Sequence, residues 1–91
     1  MPLSYRAAQS LIKRGNEAGL RAALSEGLDP NFANENGWTL LMLTAVEGHT
    51  TLARLLLEHG ADPTRQNGKG ETAATIAANR GNTELASLFT A

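Results

Sequence analysis

Residues 48–63 read GHTTLARLLLEHGADP, and residues 15–30 read GNEAGLRAALSEGLDP. The two stretches align when one is displaced by 33 positions. The same step carries Gly15 to Gly48 and on to Gly81, Gly27 to Gly60, Asp29 to Asp62 and Pro30 to Pro63. It also carries Asn34 to Asn67, Gly37 to Gly70 and Thr39 to Thr72. Chance does not hold residues with special backbone roles in one register through successive copies. Self-similarity at a fixed step of this size is the signature of a repeat architecture.

Each part of the unit has a physical reading. In the middle copy Thr39 is placed to N-cap a helix over Leu40–Glu47, and Gly48 supplies a left-handed stop. Thr50 or Thr51 restarts a second helix, in which Leu52, Leu55 and Leu56 share one face at i, i+3 and i+4 spacing. Gly60 ends that helix, and Asp62-Pro63 turns the chain outward. The polar, glycine-rich stretch TRQNGKGE then leads to Thr72, the cap of the next helix. One unit is therefore helix, short turn, antiparallel helix, projecting loop. Such a pair cannot hide its apolar faces alone; stacked copies can, and about three are needed.

Composition agrees. The chain has 91 residues, 42% hydrophobic and 19% charged, which suits a folded domain. A domain of this size buries only about 60–65% of the surface its unfolded chain exposes. Tyr5, Phe32, Trp38 and Phe89 are its aromatic residues, so the core is built from Leu, Ala, Ile and Val, which suits closely spaced helices. There is no cysteine, hence no disulfide framework and no thiolate metal site. The opening MPLSYRAAQSLIKRG lacks the pattern of a secretory signal, and the apolar run from Leu40 to Val46 is too short to span a bilayer. A cytoplasmic protein with no membrane association is expected. The formal net charge of −1 offers no long-range attraction to nucleic acid.

The segment GWTLLMLTAVEGHTTLARLLLEHGADPT, residues 37–64, resembles an ankyrin repeat, and the resemblance extends from about Ser4 to Phe89. It implies an all-α solenoid of three stacked helix-turn-helix units joined by projecting, hairpin-like loops. The units would be residues 1–36 with the N-terminal cap, 37–69, and 70–91 with the C-terminal cap. Leu40 stands where the family has proline and Met42 where it has histidine; the last copy has Ala73 and Thr75 there. In the family that threonine–histidine pair joins a hydrogen-bond network that stiffens the loops.

Little in the chain points to chemistry. GKGET at 68–72 lacks the spacing and the preceding strand of a phosphate-binding loop and reads as a loop tip needing glycine. His49 and His59 flank a short helix with no cysteine beside them, so no metal site and no cofactor is expected. Glu47, Glu58, Glu71 and Glu84 read as solvated, and Ser10, Ser25 and Ser87 lack a nucleophile's strand-to-helix setting, so the chain is not read as an enzyme. The basic residues Lys13, Arg14 and Arg21 have no interleaved aromatics, as a nucleic-acid surface would.

The resemblance implies a protein partner gripped by the concave side, through loop tips and the exposed positions of the first helix of each unit. In register, those positions are Lys13 and Arg14 in the first unit. The middle unit gives Glu35, Asn36, Trp38, Val46 and Glu47, and the last gives Lys69, Glu71, Asn79 and Arg80. Tryptophan is enriched among residues that dominate binding energy, so Trp38 is the leading contact; the alternative is a ring folded over Leu40 and the adjoining loop as a local lid. The leading expectation is a non-catalytic protein-binding module, monomeric alone. Some small bacterial ankyrin proteins are immunity proteins that block a cognate toxin, and a toxin or other folded enzyme is one partner the resemblance suggests. An engineered or partnerless scaffold is the other alternative, but Ala22-Ala23 matching Leu55-Leu56 is unlike a verbatim consensus design. Met1 and the polar terminal helices lead to the expectation of a stand-alone chain rather than a fragment.

Overall fold

Ser4 opens the first helix by accepting the Ala7 amide at 3.2 Å, and the chain then alternates helices with turns. The computed structural model describes residues 3–90. Helices α1 (Tyr5–Lys13) and α2 (Glu17–Ser25) form the first antiparallel pair, α3 (Leu40–Glu47) and α4 (Thr50–Glu58) the second, and α5 (Ala73–Asn79) and α6 (Thr83–Thr90) the third. Within each pair the helices pack together, while α1 packs on α3, α3 on α5 and α2 on α4 across the pairs. The result is an all-α ankyrin-type stack. Ala33 and Thr39 form an isolated antiparallel bridge at the base of the first projecting loop.

Stacking explains where the apolar residues go. Leu52, Leu55 and Leu56 are buried together, as their helical spacing predicts. Helix α3 lies between two neighbours, and Leu40, Leu41, Met42, Thr44 and Ala45 are all buried along its 8 residues. A helix enclosed on several sides does not need one polar face. Its buried hydroxyl, on Thr44, donates to the Leu41 carbonyl at 2.6 Å, so no unpaired polar group is left there. Ile12, Leu20, Leu41, Leu52, Leu56 and Leu85 belong to the single cluster that runs through all three pairs.

The caps follow the register. The Thr39 hydroxyl accepts the Met42 amide at 3.2 Å, and Met42 Sδ accepts the Thr39 amide at 3.4 Å, a capping box with a thioether in place of a carboxylate. The Thr72 hydroxyl accepts the Thr75 amide at 3.2 Å and lies 3.0 Å from the Thr75 hydroxyl. Asn16 and Asn82 cap α2 and α6 by accepting the Gly19 and Leu85 amides. His49 occupies the same register before α4 and makes no such bond. Its ring instead lies beside Gly15 in the preceding turn.

Neighbouring loops are laced together by groups other than a threonine–histidine pair. The Asn31 side-chain oxygen accepts the Asp62 amide at 2.7 Å, and its amide nitrogen donates to the Gly60 carbonyl at 3.3 Å. Asp62 in turn accepts from both the hydroxyl and the backbone amide of Thr64. Those two bonds, with a smaller attraction from Arg65, hold the Asp62 carboxyl below the usual carboxylate range despite slight desolvation. No helix among the described residues is long and apolar enough to cross a membrane.

Candidate binding face

The walls of the face are two copies of one turn. The Asn34 side-chain oxygen accepts the backbone amides of Asn36 and Trp38, both at 3.0 Å, while the Asn34 backbone amide donates to the Trp38 carbonyl at 3.1 Å. Thirty-three residues on, the Asn67 side-chain oxygen accepts the backbone amides of Lys69 and Glu71, and the Asn67 backbone amide donates to the Glu71 carbonyl. Asparagine suits this role because its short side chain mimics a backbone acceptor two residues ahead. The turns also touch each other. The Gly68 amide donates to the Asn36 carbonyl at 2.9 Å, and a Cβ on Gly37 would lie 3.0 Å from the Asn67 Cα.

Trp38 sits at the foot of the first turn. Its carbonyl accepts the Tyr5 hydroxyl at 2.9 Å, a bond from α1 into the second unit. Tyr5 also meets Phe32 edge-on, with ring centroids 5.6 Å apart and planes at 76°. Burial pushes the Tyr5 phenol above its ordinary pKa. The Trp38 side chain is half-buried against the core cluster. Its remaining surface turns to a hollow of about 390 Å³ lined by Trp38, Val46, Lys69, Glu71, Ile76, Asn79 and Arg80. An adjoining hollow of about 540 Å³ is lined by Asn36, Trp38, Gly68 and Lys69.

The positions named from the sequence thus divide. Trp38, Val46, Lys69, Glu71, Asn79 and Arg80 come together around one hollow, and Asn36 adjoins it through the second. Lys13, Arg14, Glu35 and Glu47 are exposed and line neither. Glu71 is not simply solvated: its carboxylate accepts from the Asn67 side-chain amide at 2.9 Å. Ile76, which the sequence does not single out, is buried at 5% exposure and is also the floor of the hollow. The sequence reading also passed over the part Tyr5 plays. The signal was present, since Tyr5, Trp38 and Glu71 are successive positions of the same register.

Electrostatically the rim is lopsided. Among the described residues the one ion pair is Arg21 with Glu17, at 2.8 Å on the exposed side of α2. Lys69 and Arg80 therefore carry unpaired charge beside the apolar surface of Trp38, Val46 and Ile76. The two histidines are occupied separately, His49 against Gly15 and His59 through Nδ1 against the Leu55 carbonyl at 3.0 Å. No group of three or more His, Asp or Glu side chains among the described residues is placed to hold a metal ion.

The family model for ankyrin repeats, in three copies, matches residues 5–90. A Pseudomonas aeruginosa protein named "Putative ankyrin repeat protein" is 42% identical over 45 residues, which is 50% of this chain and 26% of that protein. The match therefore spans about a quarter of the relative's length.

Proposed function

The chain belongs to the ankyrin repeat family, whose repeats are generally protein–protein interaction modules and typically non-catalytic, and from that premise we propose that it binds a protein partner through its concave face and loop tips. One observation carries the reading. The single tryptophan of the chain lines a hollow between two bonded turns, with unpaired cations at the rim. A large aromatic beside a partly enclosed apolar surface is the usual composition of a binding hot spot. Asn36, Trp38, Val46, Lys69, Glu71, Asn79 and Arg80 form the centre of the proposed contact, and Lys13, Arg14, Glu35 and Glu47 its rim.

The test is affinity capture from the native host, with the wild-type chain and Trp38→Ala as parallel baits. The wild type is expected to retain a partner that the variant binds about 30-fold more weakly, roughly 2 kcal/mol. Helical content and cooperative unfolding should survive the substitution, because the Tyr5 bond ends on the Trp38 carbonyl and needs no indole. A variant that melts would make the ring structural and remove it from the contact. The bacterial relative makes bacterial partners the first to examine, among them a toxin that the chain would neutralise. A captured enzyme whose activity the chain leaves unchanged would end that version.

A further inference from the structure

The hollow also constrains the chemistry of what enters it. Its floor is apolar: Ile76 is almost wholly buried, and Trp38 and Val46 are half-buried beside it. Three charged side chains surround that floor, Lys69, Glu71 and Arg80. They are not equivalent. Glu71 is drawn back into its own turn by the Asn67 side-chain amide, so part of its accepting capacity is already used. Lys69 and Arg80 take part in no ion pair among the described residues. The bond from the Asn67 amide leaves the Glu71 charge in place, so the two cations outweigh one carboxylate and the hollow is positive on balance, although the whole chain has a formal net charge of −1.

We propose, resting on the protein-binding reading above, that the hollow between the Asn34 and Asn67 turns takes a protein segment in which an apolar side chain stands next to a carboxylate. The apolar side chain covers Trp38, Val46 and Ile76, and the carboxylate meets Lys69 and Arg80. Arginine suits the second role because its planar guanidinium matches a carboxylate through paired donors. A basic segment would place like charge against both cations, and like-charge contact at an interface works against binding. A nucleic acid would meet only two free cations here, with the exposed carboxylates of Glu35 and Glu47 nearby on the same units. That is poor electrostatics for a polyanion.

The test is selection from a displayed library of random linear peptides on the purified wild-type chain. Three variants run in parallel: the double variant Lys69→Glu/Arg80→Glu, Trp38→Ala, and the unrelated surface change Arg54→Glu. The wild type and Arg54→Glu are expected to enrich segments with Asp or Glu beside Leu, Ile, Met or Phe. The double reversal should enrich Lys or Arg at that place instead. Binding of a selected synthetic peptide should shift the emission of Trp38, weaken as salt is raised, and fall about fivefold when its acidic residue becomes the amide. Enrichment without acidic residues, no enrichment at all, or a reversal variant that still selects acidic segments overturns this inference. If the captured partner still depends on Trp38 in those cases, the protein-binding reading stands without it. Selected acidic segments that bind Trp38→Ala as well as wild type, and leave the emission unmoved, overturn both.

Discussion

Gly37 and Gly70 occupy equivalent places in the two turns, both left-handed, at φ 82° and 77°. Their surroundings differ. A Cβ on Gly70 would meet open space, whereas one on Gly37 would press on the Asn67 Cα at 3.0 Å and the Gly68 amide at 3.3 Å. Gly70→Ala is therefore expected to cost only the left-handed penalty, about 1 kcal/mol. Gly37→Ala should cost about 2–3 kcal/mol, because neighbouring backbone must also shift. Urea unfolding of the two variants measures the gap, and equal losses would mean that the stacked turns yield freely. The sequence made the two glycines look alike. Their spacing specifies identical turns, but a close approach from the following loop depends on stacking that no local pattern encodes.

Among the elements, α1 is tied to the binding wall by a side chain. Tyr5→Phe removes the hydroxyl donated to the Trp38 carbonyl and keeps the ring against Phe32, so a loss of about 1 kcal/mol is expected. The pH dependence has a definite sign. Burial raises the Tyr5 pKa in the folded chain, so the folded state holds this proton more tightly than the unfolded one. That contribution is complete below the unfolded value near 10 and is lost as pH rises through the higher folded value. Between about pH 9 and about pH 11 the wild type should lose more unfolding free energy than Tyr5→Phe; parallel losses would refute the assignment. Helix starts were largely legible in advance, since Thr39 and Thr72 cap where the register places them. His49 was less so. It holds the position at which Asn16 and Asn82 cap, yet its ring is used against the previous turn, a contact visible only once the units are stacked.

Across the whole molecule, each pair completes its neighbour. Removing residues 70–91 would strip Ala73, Ile76, Ala77, Leu85 and Phe89 from the shared core and uncover α3 on the side where α5 packs. A chain of residues 1–69 is therefore expected to show no cooperative thermal transition by circular dichroism, as nearest-neighbour stabilisation of stacked repeats requires. A sharp transition in that truncation would mean that two pairs suffice. The order of helices and the direction of stacking were readable because the 33-residue step is written in glycine, proline and asparagine. The candidate site was readable only as rows of equivalent positions. Which rows converge on one hollow depends on how the turns lean together, and this is why Lys13 and Glu47 fall outside while Ile76 falls inside.

The bonds that tie the turns at Asn36 and Trp38 to their neighbours end on main-chain oxygens. Their side chains thus make none of these bonds, and the Trp38 ring meets the framework only by packing on the core cluster. Selection could exchange the indole or the amide for other groups and retarget the protein without redesigning its architecture, so relatives with the same turns can be expected to diverge in specificity first at these two places.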